Sequence, residues 1–307
     1  MSERQYLVAF GPDANCTFAL CTIEESVYKY RPSLPANIIF ATIFLIAMIV
    51  HIVLSIRWKT WWVMSMMIIS CVHEIVGYIA RVFMWRNPWS FAAFITQIIC
   101  ITQAPVFYCA VIYVMLGQTI DYYAPHLARF STRITVWIFL PCDIISLILQ
   151  GVGGSLSASS SGSSQVGVDI AMAGLIFQVI TLCTFSSLMI DFIVRFLRLK
   201  GTTTIVRRDI LFFGFLGTAV ALTLGRCLFR AVELREGYNG DLIEHEDLFI
   251  GLEGVFIVVV VFCLCVGHPG YAFRKSKEDL QMYHLGSTSI ESGVNPIPGS
   301  VQENHTT

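Results

Sequence analysis

The sequence predicts an all-α integral membrane protein: a seven-transmembrane helix bundle with the N-terminus outside and the C-terminus cytosolic. Three observations predict it. Seven apolar stretches occur along the 307 residues, each close to the roughly 20 residues that cross a 30 Å hydrocarbon core as a helix. Charged residues make up 13% of the chain and the mean hydropathy is +0.69, whereas a soluble domain carries about 25% charged residues. Lys and Arg are sorted unevenly between alternate loops. Inside lipid each backbone polar group must be satisfied within the protein, which leaves helices or closed barrels. Apolar runs of this length without strict alternation select helices.

The chain divides into an extracellular N-terminal tail (1–35), a membrane domain (36–270) and a cytosolic tail (271–307). The first 35 residues hold Glu3, Arg4, Asp13, Glu24, Glu25, Lys29 and Arg31. They lack the apolar core of a cleavable signal peptide, so the first span is expected to direct insertion. The spans are predicted near 36–56, 61–80, 92–116, 134–151, 170–190, 210–229 and 248–267. Between the fourth and fifth, Gly151 to Gly167 is rich in Gly and Ser and uncharged, and reads as a flexible linker. Beyond Pro269 the chain turns polar. Arg274, Lys275 and Lys277 are placed at the lipid headgroups, and Gly286 to Thr307 has a disordered composition. No internal repeat is evident.

Orientation follows the Lys and Arg of short loops. With the N-terminus outside, the cytosolic side holds Arg57, Lys59, Arg129, Arg133, Arg195, Arg198, Lys200, Arg207, Arg208, Arg274, Lys275 and Lys277. The outside holds Arg4, Lys29, Arg31, Arg81, Arg86, Arg230 and Arg235. Asn15-Cys16-Thr17 is an N-glycosylation sequon, which needs the same lumenal or extracellular face. The acidic loop of Glu236, Asp241, Glu244, Glu246 and Asp247 also falls outside. Of ten cysteines, eight lie in or beside spans, where Cys behaves as a small hydrophobe. Cys16 and Cys21 sit together on the oxidising face, either as a disulfide or as two free thiols.

Ionisable groups within a span cost about 2.5–3.5 kcal/mol each at its centre on translocon scales, so they face the bundle interior and pair. Here they are His51, His73, Glu74, Asp143, Arg226, Arg230, Glu233 and Glu253, with Gln97, Gln103, Gln150 and Gln178 as polar company. Arg226, Arg230 and Glu233 are spaced i, i+4, i+7 and share one helix face. Glu74 and Arg81 are seven apart on the second span. Asp143, Ser146 and Gln150 share a face of the fourth. A rise of 1.5 Å per residue puts Glu74, Asp143, Arg226, Arg230, Glu233 and Glu253 in the outer half of the bilayer and His51 in the inner third. Two readings fit: a salt-bridge network that fixes helix register, or a polar cavity open toward the outer leaflet. The excess of acids over arginines favours the cavity. His51 alone reads as a hydrogen-bonded core residue.

Other signals are negative. No G-x-x-x-x-G-K-[ST] or H-E-x-x-H motif occurs, so no ATP-binding site, metal or cofactor is expected. His73 and His268 fall at opposite depths and cannot share a metal. No Lys lies in a span, which excludes a retinal Schiff base. Asp121-Tyr122-Tyr123 follows the third span where many G-protein-coupled receptors carry Asp-Arg-Tyr, but the Arg is missing and no N-P-x-x-Y follows the seventh.

From about Tyr30 to Pro269 the chain resembles the fungal lipid-translocating exporter, or resistance-to-aminocholesterol-like, family of seven-span proteins. The resemblance rests on Tyr30-Arg31-Pro32-Ser33-Leu34-Pro35-Ala36-Asn37 ahead of a span with His51, and on Glu74-Ile75-Val76-Gly77-Tyr78-Ile79-Ala80-Arg81. It continues through Ala104-Pro105, Tyr108, Ala110, Tyr113 and Leu116-Gly117, then Asp143, Ser146, Gln150 and Gly151-Val152-Gly153-Gly154. Gly174, Gln178, Arg226, Phe229-Arg230, Glu233, Gly237, Gly240, Glu246 and Glu253 complete it in order. Glu253 stands where the family more often has Asp, and Phe249 where it has Tyr. The resemblance implies a plasma-membrane protein linked to movement or asymmetry of lipids such as sphingoid long-chain bases, and to tolerance of membrane-active compounds.

The leading expectation is therefore a non-enzymatic transporter, or regulator of asymmetry, for lipids or amphipathic small molecules, with no nucleic-acid partner and no catalytic residue. Its candidate binding set is Glu74, Arg81, Asp143, Gln150, Arg226, Arg230, Glu233, Glu246 and Glu253. The alternatives are a seven-helix receptor that signals through Arg195 to Arg208, and a membrane lipid hydrolase using Ser70, His73 or Asp143.

Overall fold

A computed structural model describes residues 7–9, 11–123, 132–159, 164–200, 207–236, 242 and 245–267. A 3-10 turn at Ile23–Glu25 precedes six long helices: α1 (Leu34–Trp58), α2 (Trp61–Arg86), α3 (Phe91–Tyr123), α4 (Thr132–Ser159), α5 (Gln165–Lys200) and α6 (Arg207–Glu236). The seventh, α7 (Glu246–Val266), is one span of three parts: a helical turn to Leu248, a π-helical stretch Phe249–Val255, and regular helix Phe256–Val266. All seven are long and apolar enough to cross a membrane, and among the described residues there is no strand. The protein is a multi-pass membrane protein. The predicted cytosolic tail (271–307), and the connection between α5 and α6 (201–206), lie outside the described residues.

Helices pack in chain order around a closed ring, with α7 returning to α1; α3 also touches α6 and α7 and so runs through the middle. Burial agrees: 61% of the apolar window of α3 is buried, against 22% for α1 and for α4. The outward faces carry large exposed apolar side chains such as Ile39, Ile46, Val53, Ile148, Ile180 and Phe262. A belt of this kind is stable only against hydrocarbon. Trp58, Trp61 and Trp62 lie at one end of the bundle and Trp85 and Trp89 at the other, the levels where indoles settle in a bilayer. Aromatic rings fill the core: Tyr78 stacks with Phe40 and Phe44, and Tyr113 packs on Phe139 and Phe185.

Several helices are longer than the predicted spans. α5 has 36 residues, about 54 Å at 1.5 Å per residue, so it projects beyond the bilayer. Its projecting part carries an Asp191–Arg195 ion pair one turn apart, 3.1 Å, which supports helix in water. The linker expected from Gly151 to Gly167 is a correction. Residues up to Ser159 continue α4, and α5 begins at Gln165; residues 160–163 lie outside the described residues. Gly153 and Gly167 serve close packing instead. A Cβ on Gly153 would strike the backbone of Gly167 and Ala171, and one on Gly167 would lie 2.5 Å from the Ser157 amide nitrogen. Glycine composition marks a linker in water, but in a membrane it marks helices whose backbones approach closely.

The N-terminal segment folds over the end of the bundle formed by the start of α1 and the ends of α2, α4 and α6. Cys16 and Cys21 are disulfide-bonded. Arg31 lies over the Trp85 ring at 4.1 Å and the Phe18 ring at 5.2 Å, and its Nε donates to the Trp85 carbonyl at 2.8 Å. Tyr28 is buried and donates to Gln97 Oε1 at 2.8 Å. Burial pushes its hydroxyl pKa above the ordinary value, so Tyr28 remains a neutral donor.

Candidate functional site

The i, i+4, i+7 spacing on α6 works as its periodicity requires. Arg230 Nη1 donates to Glu233 Oε2 at 2.8 Å, and its Nη2 donates to Glu253 Oε2 at 2.9 Å; Arg230 Nε also meets Glu253 Oε1. Arg226 lies 3.5 Å from the same Glu253 carboxylate. Glu253 is fully buried on the π-helical stretch of α7. Such a stretch displaces a side chain relative to a regular helix and recurs at functional sites.

Arg226 has a second anchor. Its Nη2 donates to the Ile101 carbonyl at 2.6 Å. In a regular helix that carbonyl would accept from residue 105, but residue 105 is proline, inside α3, and proline has no N–H. Pro105 frees an acceptor at the centre of the bundle and Arg226 takes it. Glu74 on α2 completes the group. It is fully buried, neither carboxylate oxygen makes a hydrogen bond to a protein group, and Arg226, Glu253 and Arg230 are its charged neighbours. Three acids thus face two arginines.

The other predicted residues lie elsewhere. Arg81, fully buried, belongs to a separate cluster under the N-terminal segment. Its Nε donates to Asn37 Oδ1 at 3.1 Å, its Nη2 donates to the Tyr30 hydroxyl at 3.2 Å and lies 3.4 Å from Glu246 Oε1, and its guanidinium sits 3.9 Å from the Phe249 ring centre. Glu246 also accepts from the Ser33 amide at 2.7 Å. Asp143 joins neither cluster. Its Oδ2 accepts from the Tyr113 hydroxyl at 2.8 Å, and Tyr113 lies twelve residues beyond Ile101 on α3, about 18 Å along the helix. Gln150 donates to Gln178 Oε1 at 2.8 Å. His51 is buried, 2.9 Å from Cys265 Sγ. Ser70 donates to the Ala104 carbonyl and His73 Nδ1 lies 2.7 Å from the Ile69 carbonyl. The side chains considered for a hydrolase thus make separate bonds and form no nucleophile–base pair with one another.

A cavity of about 90 Å³ lies among α3, α4, α5 and α6 beside the ionic cluster. Arg230, Glu233 and Tyr28 form its polar end; Gln150 and Thr102 add hydrogen-bonding groups; Ile98, Ala171, Leu175 and Leu234 form apolar walls, and Gly154 a gap in them. Of the predicted set, the cavity takes Gln150, Arg230 and Glu233. Tyr28, Thr102 and the apolar wall were not among the predicted site residues. Tyr28 stands two residues before the Tyr30-Arg31-Pro32 run, but nothing local in the sequence says that the tail folds back over Gln97.

The profile of the family described as RTA1 like protein matches residues 67–276, from α2 to beyond α7. The "Sphingoid long-chain base transporter RSB1" of Saccharomyces cerevisiae (strain ATCC 204508 / S288c) is 28% identical, over 79% of this chain and 73% of its own. The "Protoporphyrin uptake protein 1" of the same strain is 32% identical over 64% of this chain and 66% of its own. "Protein RTM1" of Saccharomyces cerevisiae is 28% identical over 64% of each. No solved structure matches. A profile match that runs through six of the seven helices, with relatives aligned over most of their length, makes this chain a member of the RTA1-like protein family.

Proposed function

We propose that this protein moves a single-chain cationic amphipath of the sphingoid long-chain-base class across the membrane, acting as a transporter and not as an enzyme. The amine binds in the cavity at Glu233, with the end of the bundle beneath the N-terminal segment facing outward at the plasma membrane. The observation that carries this reading is a cavity with an ion pair at one end, Arg230–Glu233, and apolar walls of Ile98, Leu175 and Leu234. The side-chain count supports it: three acids, Glu74, Glu233 and Glu253, stand against two arginines, Arg226 and Arg230, so the site holds carboxyl oxygens beyond those the arginines engage, and a protonated amine is a ligand that such acceptors take. The name of the relative aligned over 79% of this chain points to the same substrate class.

The test is movement of a fluorescent long-chain base in liposomes containing the purified protein. Glu233→Gln and Glu74→Gln are each expected to slow it at least about tenfold, equivalent to about 1.4 kcal/mol, while a phospholipid of zero net charge is carried poorly by all. Equal rates for wild type and Glu233→Gln, at equal amounts of folded protein, would refute the site. Preferential carriage of a phosphorylated base would instead make Arg230 the recognition group.

A further inference from the structure

The cavity beside Arg230 and Glu233 is too small for a whole lipid. Its volume is about 90 Å³, room for a headgroup but not for an extended long hydrocarbon chain. The chain must leave the cavity somewhere.

A second hollow adjoins the first, between α3 and α4. It shares Ile98, Thr102, Gln150 and Gly154 with the cavity and continues past Ile99, Leu147 and Gly151. Apart from the buried Gln150, its lining residues are half-buried, and Ser155 at its edge is exposed. α3 and α4 pack less extensively than α2 with α3 or α4 with α5. An independent observation concerns the glycines. Within Gly151-Val152-Gly153-Gly154, Gly153 is pressed against α5, yet a Cβ on Gly151 or Gly154 would meet nothing within 4 Å. Glycine inside a helix costs about 1 kcal/mol relative to alanine, and no close contact requires it at these two positions. What their missing side chains leave is an open furrow on the α3-facing side of α4.

We infer that the cavity opens sideways into the bilayer between α3 and α4, and that this furrow holds the hydrocarbon chain of the amphipath while its amine sits at Glu233. The inference rests on the proposed amine site and adds the route to it. Ile98, Ile99 and Leu147 supply the apolar wall, and each methylene removed from water contributes about 0.8 kcal/mol. Thr102 and Gln150 line the same path, so a headgroup sliding from the bilayer meets hydrogen-bonding groups before it reaches Arg230 and Glu233.

The test uses the full chain in liposomes with a long-chain base carrying a photoreactive group midway along its chain. Labelling is expected on peptides holding Ile99, Leu147 and Gly151. Labelling confined to a different lateral hollow, between α1 and α2 around Leu45 and Ile79, would overturn the route. Gly151→Leu sets a bulky side chain in the furrow from a position where an added Cβ meets nothing within 4 Å, and is expected to cut movement of the long-chain base at least about tenfold. The same variant should still bind a short-chain analogue with the same amine headgroup, which Glu233→Gln should not. Undiminished long-chain movement in folded Gly151→Leu, with short-chain binding intact in wild type, would overturn the route alone. Absence of short-chain binding in wild type would overturn the amine site, and the route with it.

Discussion

Arg81 shows how much one side chain fixes. Its guanidinium holds Asn37 of α1 and Tyr30 of the N-terminal segment by hydrogen bonds, Glu246 of α7 by charge, and lies over Phe249. Three segments therefore converge on a side chain of α2 that has no exposure of its own. Removing one partner of a buried ion pair typically costs about 3–5 kcal/mol. Glu246 keeps 22% of its side-chain surface exposed, so Arg81→Ala is expected at the lower end, about 3 kcal/mol, read as a fall of several degrees in the unfolding temperature in detergent. Arg81→Lys keeps the charge but not the planar fork or the stacking, and should recover less than half of the loss; an unchanged unfolding temperature in Arg81→Ala would contradict this account. At this scale the sequence was partly legible. The α6 spacing named Arg226, Arg230 and Glu233 as one face because helical period is local. That Arg81 serves a different cluster from Glu74, seven residues earlier on the same helix, depends on which loops and helices lie opposite, and no local pattern encodes that.

Among the elements, α3 and α4, like the π-helical stretch of α7, carry irregularities that shape the candidate site. Pro105 leaves the Ile101 carbonyl without an intrahelical donor, and Arg226 from α6 satisfies it. A broken backbone bond in one helix thus positions the charged group of another. In α4 adjacent glycines have opposite roles: Gly153 is packed against α5, while Gly151 and Gly154 face open space. Gly153→Leu is therefore expected to force α4 from α5, lowering the yield of folded protein and the unfolding temperature, whereas Gly151→Leu leaves both near wild type. Size-exclusion profiles and thermal unfolding of the two variants check this, and equal behaviour would contradict the assigned packing. Reading Gly151 to Gly167 as a linker failed because composition does not say whether glycine is opposed by another backbone or by water.

For the whole molecule, seven helices set α3 in the middle and cover one end with the N-terminal segment. The charge bias of the loops and the Asn15 sequon are the grounds in the sequence for expecting that end outside. Asn15 is exposed, beside the disulfide-bonded Cys16, so a glycan is sterically possible there. Protein made in a eukaryotic secretory system is expected to shift in mobility on glycosidase treatment, and Asn15→Gln to abolish the shift. A glycan at Asn304, with Asn15 unmodified, would reverse the orientation and place the cavity at the cytosolic end.

The sequence by itself determined the solvent, the number of spans and the class of fold. Hydrocarbon forbids unpaired backbone groups, and runs of about twenty apolar residues have few other solutions. It also determined that ionisable residues must face inward, because at membrane depth they cannot face lipid. The tertiary structure decided how those residues divide: Glu253 with Arg226 and Arg230, Arg81 with Glu246, and Asp143 with Tyr113. It also brought Tyr28, Gln150, Arg230 and Glu233 to one cavity. The physical reason is that helix period fixes the face a residue occupies, whereas partner and depth depend on helix rotation, helix offset and the fold of a distant tail, and these arise only when the whole bundle packs.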